Sequence, residues 1–478
     1  MMNIALFASA FFPSLGGVEE LCRQLALELM RQGHHVIVLT NRWPRDLPPA
    51  ETIDGIPVYR LPFRLPEGSA KAAVNYHLTH YRITQRMLLI LHENKINLLH
   101  VQCVSSNAHY AMIARQRLGL PLVVTLQGEL TMDANQIFQK SAQARDILRK
   151  ALDNANVITG CSGKTLRDGE EFYGKPFGDR GRVIFNGVNL ADFAAAPARV
   201  KDQKPGDNRR GLATETDDGG SPQRTRRNAE ATTTDFHHKD TKAQRHKDAK
   251  DGGEITEGGP ASRQVYAAGP TETEALLEDA KCPPWHGHPA HATGGQPYIF
   301  ALGRLVREKG FDILIHAFAQ SGLAATHDLV IAGSGPEMEN LKRLAGELRL
   351  AERVHFPGRA DRSQVAAYLL GCAMFVLASP AEPFGIVILE AMAAGAPVIA
   401  VNNAGPAEII TNGANGLLVD RSEPDLLAAA MQRLAADAEL RNGLAAAGKA
   451  RAAEFAWPKI AGEYIAAYAA ASQLALAN

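Results

Sequence analysis

The sequence predicts two doubly wound α/β domains separated by a long polar insert, and three observations carry that reading. From Asn3 to Asn186 short apolar runs alternate with helical patterns, the mark of a mostly parallel sheet covered on both faces. The alternation begins again at Tyr298, runs to Val419 and ends in a long Ala-rich helical stretch. Between the two, Lys201 to Gln296 is rich in Gly, Thr, Asp, Lys and His and has almost no apolar periodicity, so it cannot bury enough surface to offset its ordering entropy. The boundaries that follow are 1–200 for the first domain, 201–296 for a disordered low-complexity insert, 297–455 for the second domain, and 456–478 for a helix that leaves the second domain and packs back toward the first.

Element by element, Ile4 to Ala8 reads as the first strand. Val18, Leu21, Cys22, Leu25 and Leu29 then fall on one helical face, with Gly33 placed to end that helix. His35–Thr40, Val58–Leu61, Leu98–Gln102, Leu122–Leu126, Val157–Gly160 and Val183–Phe185 read as the later strands of the first sheet. The second sheet is expected from Tyr298–Leu302, Leu329–Ala332, Val354–Phe356, Met374–Ala378, Pro397–Val401 and Gly416–Val419. Glu423 to Ala475 reads as helix with breaks near Gly443, Gly448 and Trp457-Pro458.

Composition narrows the function classes. Among 478 residues, Lys plus Arg and Asp plus Glu each number 51, so the chain has no global electrostatic footprint for nucleic acid. In the insert the cluster Arg224-Thr-Arg226-Arg227 is diluted by nearby acids. The five cysteines (Cys22, Cys103, Cys161, Cys282, Cys372) form no CxxC pair, as expected of reduced thiols in a cytoplasmic protein. Cys282, His286, His288 and His291 lie close in sequence but lack a helix or knuckle to preorganise them, so no metal site is assigned. The apolar first dozen residues carry no Lys or Arg ahead of Pro13 and read as a buried strand, not a secretory signal. Ile386 to Val401 is interrupted by Glu390, Gly395 and Pro397, which excludes a spanning helix there.

Three segments carry chemistry. Gly16-Gly17-Val18-Glu19 lies between the first strand and its helix, where glycine lets backbone approach a ligand and free N–H groups favour an anion; it reads equally as a tight turn. Gly303-Arg304-Leu305-Val306-Arg307-Glu308-Lys309-Gly310 follows the first strand of the second domain. It places Arg304 and Lys309 at the carboxyl edge of a parallel sheet, where two cations can neutralise a diphosphate or form an ordinary solvated cluster. Gly333-Ser-Gly335-Pro does not continue into the full GxGxxG dinucleotide fingerprint. The third segment, Ser379 to Val398, runs from a strand end through a loop into a helix, with seven residues between Glu382 and Glu390. A helix starting near Gly385 would offer free N–H groups to an anion or hydroxyls, and Glu390, more than a turn inside, would accept from a hydroxyl pair.

Four blocks, Phe12 to Glu19, Asn186-Gly-Val-Asn189, Gly303-Arg-Leu with Glu308-Lys-Gly310, and Glu382 to Glu390 followed by Pro-Val, occur in an order that resembles the retaining nucleotide-sugar glycosyltransferases of family 4, the group 1 glycosyl transferases with the two-domain Rossmann-like GT-B architecture. The resemblance covers everything except the insert. It implies that Arg304 and Lys309 hold the donor diphosphate and that the Gly16-Gly17 loop closes over it or shapes the acceptor side. It further implies that Glu390 accepts from the donor ribose, that Glu382 contacts the transferred sugar, that Phe384, Gly385 and Ile386 supply backbone contacts, and that Gly358-Arg359 borders the base pocket. The implied reaction is transfer from a nucleotide-diphosphate sugar to a glycan, lipid-linked or small-molecule acceptor in cell-surface polysaccharide or glycoconjugate synthesis. No cofactor or metal and no nucleic-acid partner is implied, and peripheral association with the inner face of the membrane is compatible with it. An epimerase or phosphorylase of the same fold, or a catalytically silent sugar-nucleotide-binding partner protein, is the alternative.

One departure bears on mechanism. Family members often carry Thr-x-His-Gly after the strand found here at Leu122–Leu126, and this chain has Thr125-Leu126-Gln127-Gly128-Glu129. Gln127 can exchange hydrogen bonds but cannot be a general base. His109 is then a substitute base or a structural histidine, as is His100. In the front-face reaction usually proposed for this family the departing phosphate takes the acceptor proton, and the imidazole is dispensable.

Overall fold

Uninterrupted aliphatic and β-branched runs have to be covered on both faces, and in the computed structural model of the chain they form the centres of two sheets. The structure describes residues 1–14, 16–65, 70–130, 137–194 and 295–476. In chain order the first domain comprises β1 (Asn3–Ala8), α1 (Gly17–Arg31), β2 (His35–Asn41), β3 (Ala50–Ile53), β4 (Ile56–Leu61), α2 (Ala70–Glu93), β5 (Leu98–Gln102), α3 (Ser106–Leu118), β6 (Leu122–Leu126), α4 (Ile137–Lys140), α5 (Ala142–Asn154), β7 (Val157–Gly160), α6 (Gly163–Tyr173) and β8 (Gly181–Val183). The second comprises β9 (Tyr298–Leu302), α7 (Phe311–Ser321), β10 (Asp328–Ala332), α8 (Met338–Glu347), β11 (Val354–His355), α9 (Arg362–Gly371), β12 (Met374–Leu377), α10 (Ile386–Ala394), β13 (Val398–Val401), α11 (Ala404–Ile409), β14 (Leu417–Val419), α12 (Pro424–Ala436) and α13 (Ala438–Ala453), followed by α14 (Trp457–Leu476).

The sheets run β3-β4-β2-β1-β5-β6-β7-β8 and β11-β10-β9-β12-β13-β14. All neighbours are parallel except β3 with β4. In both sheets the chain turns back from a central strand, β1 in one and β9 in the other, and it is at the carboxyl ends of such strands that open α/β sheets bind ligands. Ile4 of β1 stands beside Val36 of β2 and Leu98 of β5, and all three are fully buried.

Sequence reasoning misplaced three features. The strand expected at Val183–Phe185 is Gly181–Val183, because pairing with β7 ends at Gly160 opposite Val183. Phe185 is apolar for another reason: its ring stacks on Phe384 of the second domain at 5.7 Å between centroids. The edge strand β3 was not expected, since Ala50-Glu-Thr-Ile53 is half polar; the signal for it is the Asp54-Gly55 turn, with φ of 51° and 84°. Gly443 and Gly448 lie inside α13 and break nothing. The helix break falls at Asp437, whose side chain caps α13 by accepting from Leu440 N. The polar stretch before Gly295 lies outside the described residues, as do Cys282, His286, His288 and His291.

The last helix, α14, packs on α1, β6 and β7 of the first domain, burying Trp457, Ile460, Tyr464 and Tyr468. His100 is fully buried beneath it, with Nδ1 2.8 Å from the Tyr468 hydroxyl and Nε2 2.7 Å from the Thr125 hydroxyl. It is therefore structural. Burial lowers its pKa from 6.5 to about 3, so it stays neutral in the folded chain. Because unfolded His100 binds its proton near pH 6.5 and the folded residue only near 3, its share of stability declines as pH falls between those values. Denaturant unfolding should show His100→Asn less stable at neutral pH but with a shallower decline toward acid.

Candidate active site

After β9 the chain enters a 3-10 turn, Arg307–Lys309, closed by Gly310 at φ 65°. A Cβ on Gly310 would lie 2.6 Å from the Ala378 carbonyl, so only glycine lets this turn press against the end of β12. The Ser379 hydroxyl donates to the Glu308 carbonyl at 3.0 Å and fixes the same junction. Lys309 thereby reaches the Glu382 loop, and its Nζ donates to Glu382 Oε2 at 2.7 Å with both side chains largely buried. Arg304, one turn earlier, is exposed.

The Glu382 loop is held from behind by Asn403, which the sequence did not single out. Its Oδ1 accepts from Glu382 N at 3.1 Å and its amide donates to the Ser379 carbonyl at 2.9 Å. Gly385, at φ 96°, is the N-cap residue of α10, so the N–H groups of Ile386 and Val387 stand at the helix start beside Glu382, while Ile388 N donates to the Gly385 carbonyl at 2.9 Å. Phe384 is 2% exposed, its ring packed between Phe185 and Phe455, so only its backbone is available to a ligand. The Gly358 carbonyl accepts from Gly333 N at 2.8 Å at the sheet edge, and Arg359 beside it is exposed.

Glu390 lies on α10 and is buried, yet it has a cation. Arg362, the first residue of α9, donates from Nη1 to Glu390 Oε1 at 3.0 Å. The same guanidinium binds Asp192 through Nε and lies 3.6 Å from Glu20 on α1. Burial raises the Glu390 pKa and Arg362 lowers it, while Glu20 and Asp192 push it up again. Arg362 is the main residue that sequence reasoning missed. Asp361 and Gln364 form a capping box that announces the start of α9, but nothing in that signal says where the arginine points.

On the first-domain side, Gly16 and Gly17 stand exposed at the start of α1, with Glu20 one turn on. Gln127 is held by its neighbours: its Nε2 donates to Gln102 Oε1 at 3.0 Å and its Oε1 accepts from Asn186 at 3.2 Å, in this assignment of the amides. Its backbone N donates to Glu129 Oε2 at 2.7 Å, and Glu129 Oε1 accepts from Val104 N at 2.8 Å. Burial raises the Glu129 pKa, and these backbone donors hold it down. His109 belongs to another neighbourhood. Its Nε2 lies 3.0 Å from the Tyr76 hydroxyl among the rings of His80 and Tyr110, and burial lowers its pKa to about 4. The structure thus joins Lys309 to Glu382, and Glu390 through Arg362 to the first turn behind Gly16-Gly17, while His109 pairs elsewhere.

Comparison with known proteins agrees in both domains. Residues 288–451 match the model of the glycosyl transferases group 1, and residues 15–192 match that of glycosyltransferase family 4. A lipopolysaccharide core biosynthesis glycosyltransferase, LpsE of Rhizobium meliloti, is 38% identical over 152 residues, 32% of this chain and 43% of the relative. A GDP-mannose-dependent α-(1-6)-phosphatidylinositol monomannoside mannosyltransferase of Mycobacterium tuberculosis is 34% identical over 168 residues, 33% of this chain and 43% of the relative. The chain therefore spans less than half the length of these curated relatives. Among solved structures, sucrose-phosphate synthase from Thermosynechococcus elongatus superposes over 100% of both chains with a TM-score of 0.67 at 20% identity. Anabaena HepE in complex with UDP and glucose covers 98% of this chain and 99% of its own, with a TM-score of 0.63 at 18% identity. At these identities the two structures establish the GT-B fold.

Where the Gln127 loop meets the Glu382 loop the fit is steric. Gly128 has φ 99°, and a Cβ there would sit 2.4 Å from Pro383 Cγ. Gly128→Ala should lower stability by about 1 to 3 kcal/mol through backbone strain alone, read as a drop in denaturation midpoint.

Proposed function

Because the chain belongs to the group 1 glycosyl transferases of family 4, we propose that it is an enzyme that transfers a sugar from a nucleotide-diphosphate sugar to an acceptor with retention at the anomeric carbon. The observation that carries this reading is the placement of Glu382 and Glu390 on either side of the α10 N-terminus, the first paired with Lys309 and the second with Arg362. Lys309, Arg304 and the N–H groups of Gly385 and Ile386 would receive the diphosphate, Glu390 the ribose, and Glu382 the transferred sugar. Gly358 and Arg359 would border the base, and Gly16-Gly17 would lie over the phosphates. Negative charge grows on the leaving phosphate as the glycosidic bond breaks, and fixed donors beside it stabilise that charge more than water does. In this proposal protein cations do that work without a metal ion, so chelator leaves the rate unchanged. The UDP and glucose bound by HepE and the GDP-mannose dependence named for the mycobacterial relative support a nucleotide-sugar donor. Both curated relatives are named as glycosyl or mannosyl transferases, which favours transfer over epimerisation or phosphorolysis.

For the acceptor we propose a glycan or lipid-linked sugar in glycoconjugate synthesis. None of the described helices is long and apolar enough to cross a membrane. The surface for peripheral association is the outer face of α2, where Val74, Leu78, Tyr81 and Leu89 are exposed beside Arg82 and Arg86 and no acid precedes Glu93. Leu78→Asp with Tyr81→Asp should abolish co-sedimentation with anionic phosphatidylglycerol vesicles while leaving transfer to a water-soluble acceptor intact.

The proton of the acceptor goes to the departing phosphate in this proposal, since Gln127 is an amide and His109 is engaged with Tyr76. With UDP-glucose and GDP-mannose as donors, Lys309→Ala should slow turnover by roughly 10² to 10³. Gln127→Ala should cost about 0.5 to 1.5 kcal/mol, roughly two- to thirteenfold. A nearly inactive His109→Ala that still binds donor would instead place a general base at that histidine.

A further inference from the structure

Arg362 answers to three carboxylates from three separate segments, and only one of them is in its own domain. Its Nη1 donates to Glu390 on α10, its Nε binds Asp192 in the 3-10 turn Leu190–Phe193 that ends the first domain, and Glu20 on α1 lies 3.6 Å away. Glu20 is itself tied down, 3.3 Å from Arg23, which in turn donates to Asp54 at 2.6 Å in the β3–β4 turn. The arginine side chain is 32% exposed, so the network sits at a boundary and not in a sealed core. A guanidinium presents five N–H donors in a rigid fork, which suits it to bridging several carboxylates where an ammonium would serve one.

We propose that Arg362 is a positioning residue for donor binding: it holds Glu390 oriented for the ribose diol and, through Asp192 and Glu20, makes that orientation depend on the first domain being closed on the second. The inference rests on the donor-site reading given above. Arg362 engages a single oxygen of Glu390, and a carboxylate has about four lone-pair sites, so a hydroxyl pair can still be accepted. Withdrawal of α1 and the 190–193 turn would leave the guanidinium on Glu390 alone, free to swing with it, so that donor affinity and closure rise and fall together. α1 also carries Gly16-Gly17 at its start, so the same contact brings that loop to the donor side.

The test is a titration of the full chain with UDP and with GDP, combined with donor kinetics, for wild type, Arg362→Met, Arg362→Lys and Glu20→Gln. Arg362→Met should weaken nucleoside diphosphate binding and raise the donor KM by roughly tenfold or more, with kcat within about threefold. Arg362→Lys should recover part of that loss. Glu20→Gln should raise the donor KM by a smaller factor in the wild-type background and have no further effect in Arg362→Met, the non-additivity expected of one network. Unchanged affinity in a folded Arg362→Met, or strictly additive effects in the double variant, would overturn the proposal. If Arg362→Met does not fold, Glu20→Gln together with Asp192→Asn still decides it: unaltered donor KM would contradict the role. Wild-type chain that binds neither UDP nor GDP would instead overturn the donor-site reading on which the proposal stands.

Discussion

A carboxylate buried away from water needs a hydrogen-bonding or charged partner, and for the buried Glu390 that partner is a cation. The cation is Arg362, and because its other partners belong to the first domain, satisfying one buried charge draws two domains together. Other contacts across the same boundary follow the arrangement this sets. Glu408 on α11 accepts from the backbone N of Gly163 at 2.9 Å and of Lys164 at 3.3 Å, placing a carboxylate at the positive end of α6. Phe185, Phe384 and Phe455 pack together beside it, and Gly128 lies against Pro383 with no room for a side chain.

The second ion pair differs in kind. Lys309 and Glu382 neutralise each other across the loop that precedes α10, in a partly buried setting where charge interactions are stronger than in water. On the proposed reading an arriving diphosphate competes for Lys309 and releases Glu382 toward the sugar hydroxyls. The site would thus be neutral before binding and become charged where the reaction needs it, while Asn403 keeps the loop from following the lysine.

Much of this was legible in the residues. The strands β1, β5, β6, β7 and β9 are buried on both faces and are mainly apolar, with single polar residues such as His100 and Thr125 among them, so short apolar runs locate them. The Glu382 to Glu390 spacing and the Gly385 helix start were readable because each is local. What escaped was not local. Phe185 is apolar because of Phe384, almost 200 positions away in the chain, and Arg362 acquires its role from acids on α1, α10 and the 190–193 turn that no spacing rule connects. His109 shows the converse: a histidine near the right loop in sequence is spatially committed to Tyr76.

The most direct measurement of the central claim is a crystal structure of the chain soaked with UDP or GDP. The account predicts the diphosphate on Lys309, Arg304 and the N–H groups at the start of α10, the ribose hydroxyls on Glu390, and Arg362 still joining Glu390 to Asp192. A nucleotide bound elsewhere, or one whose ribose avoids Glu390, would contradict it.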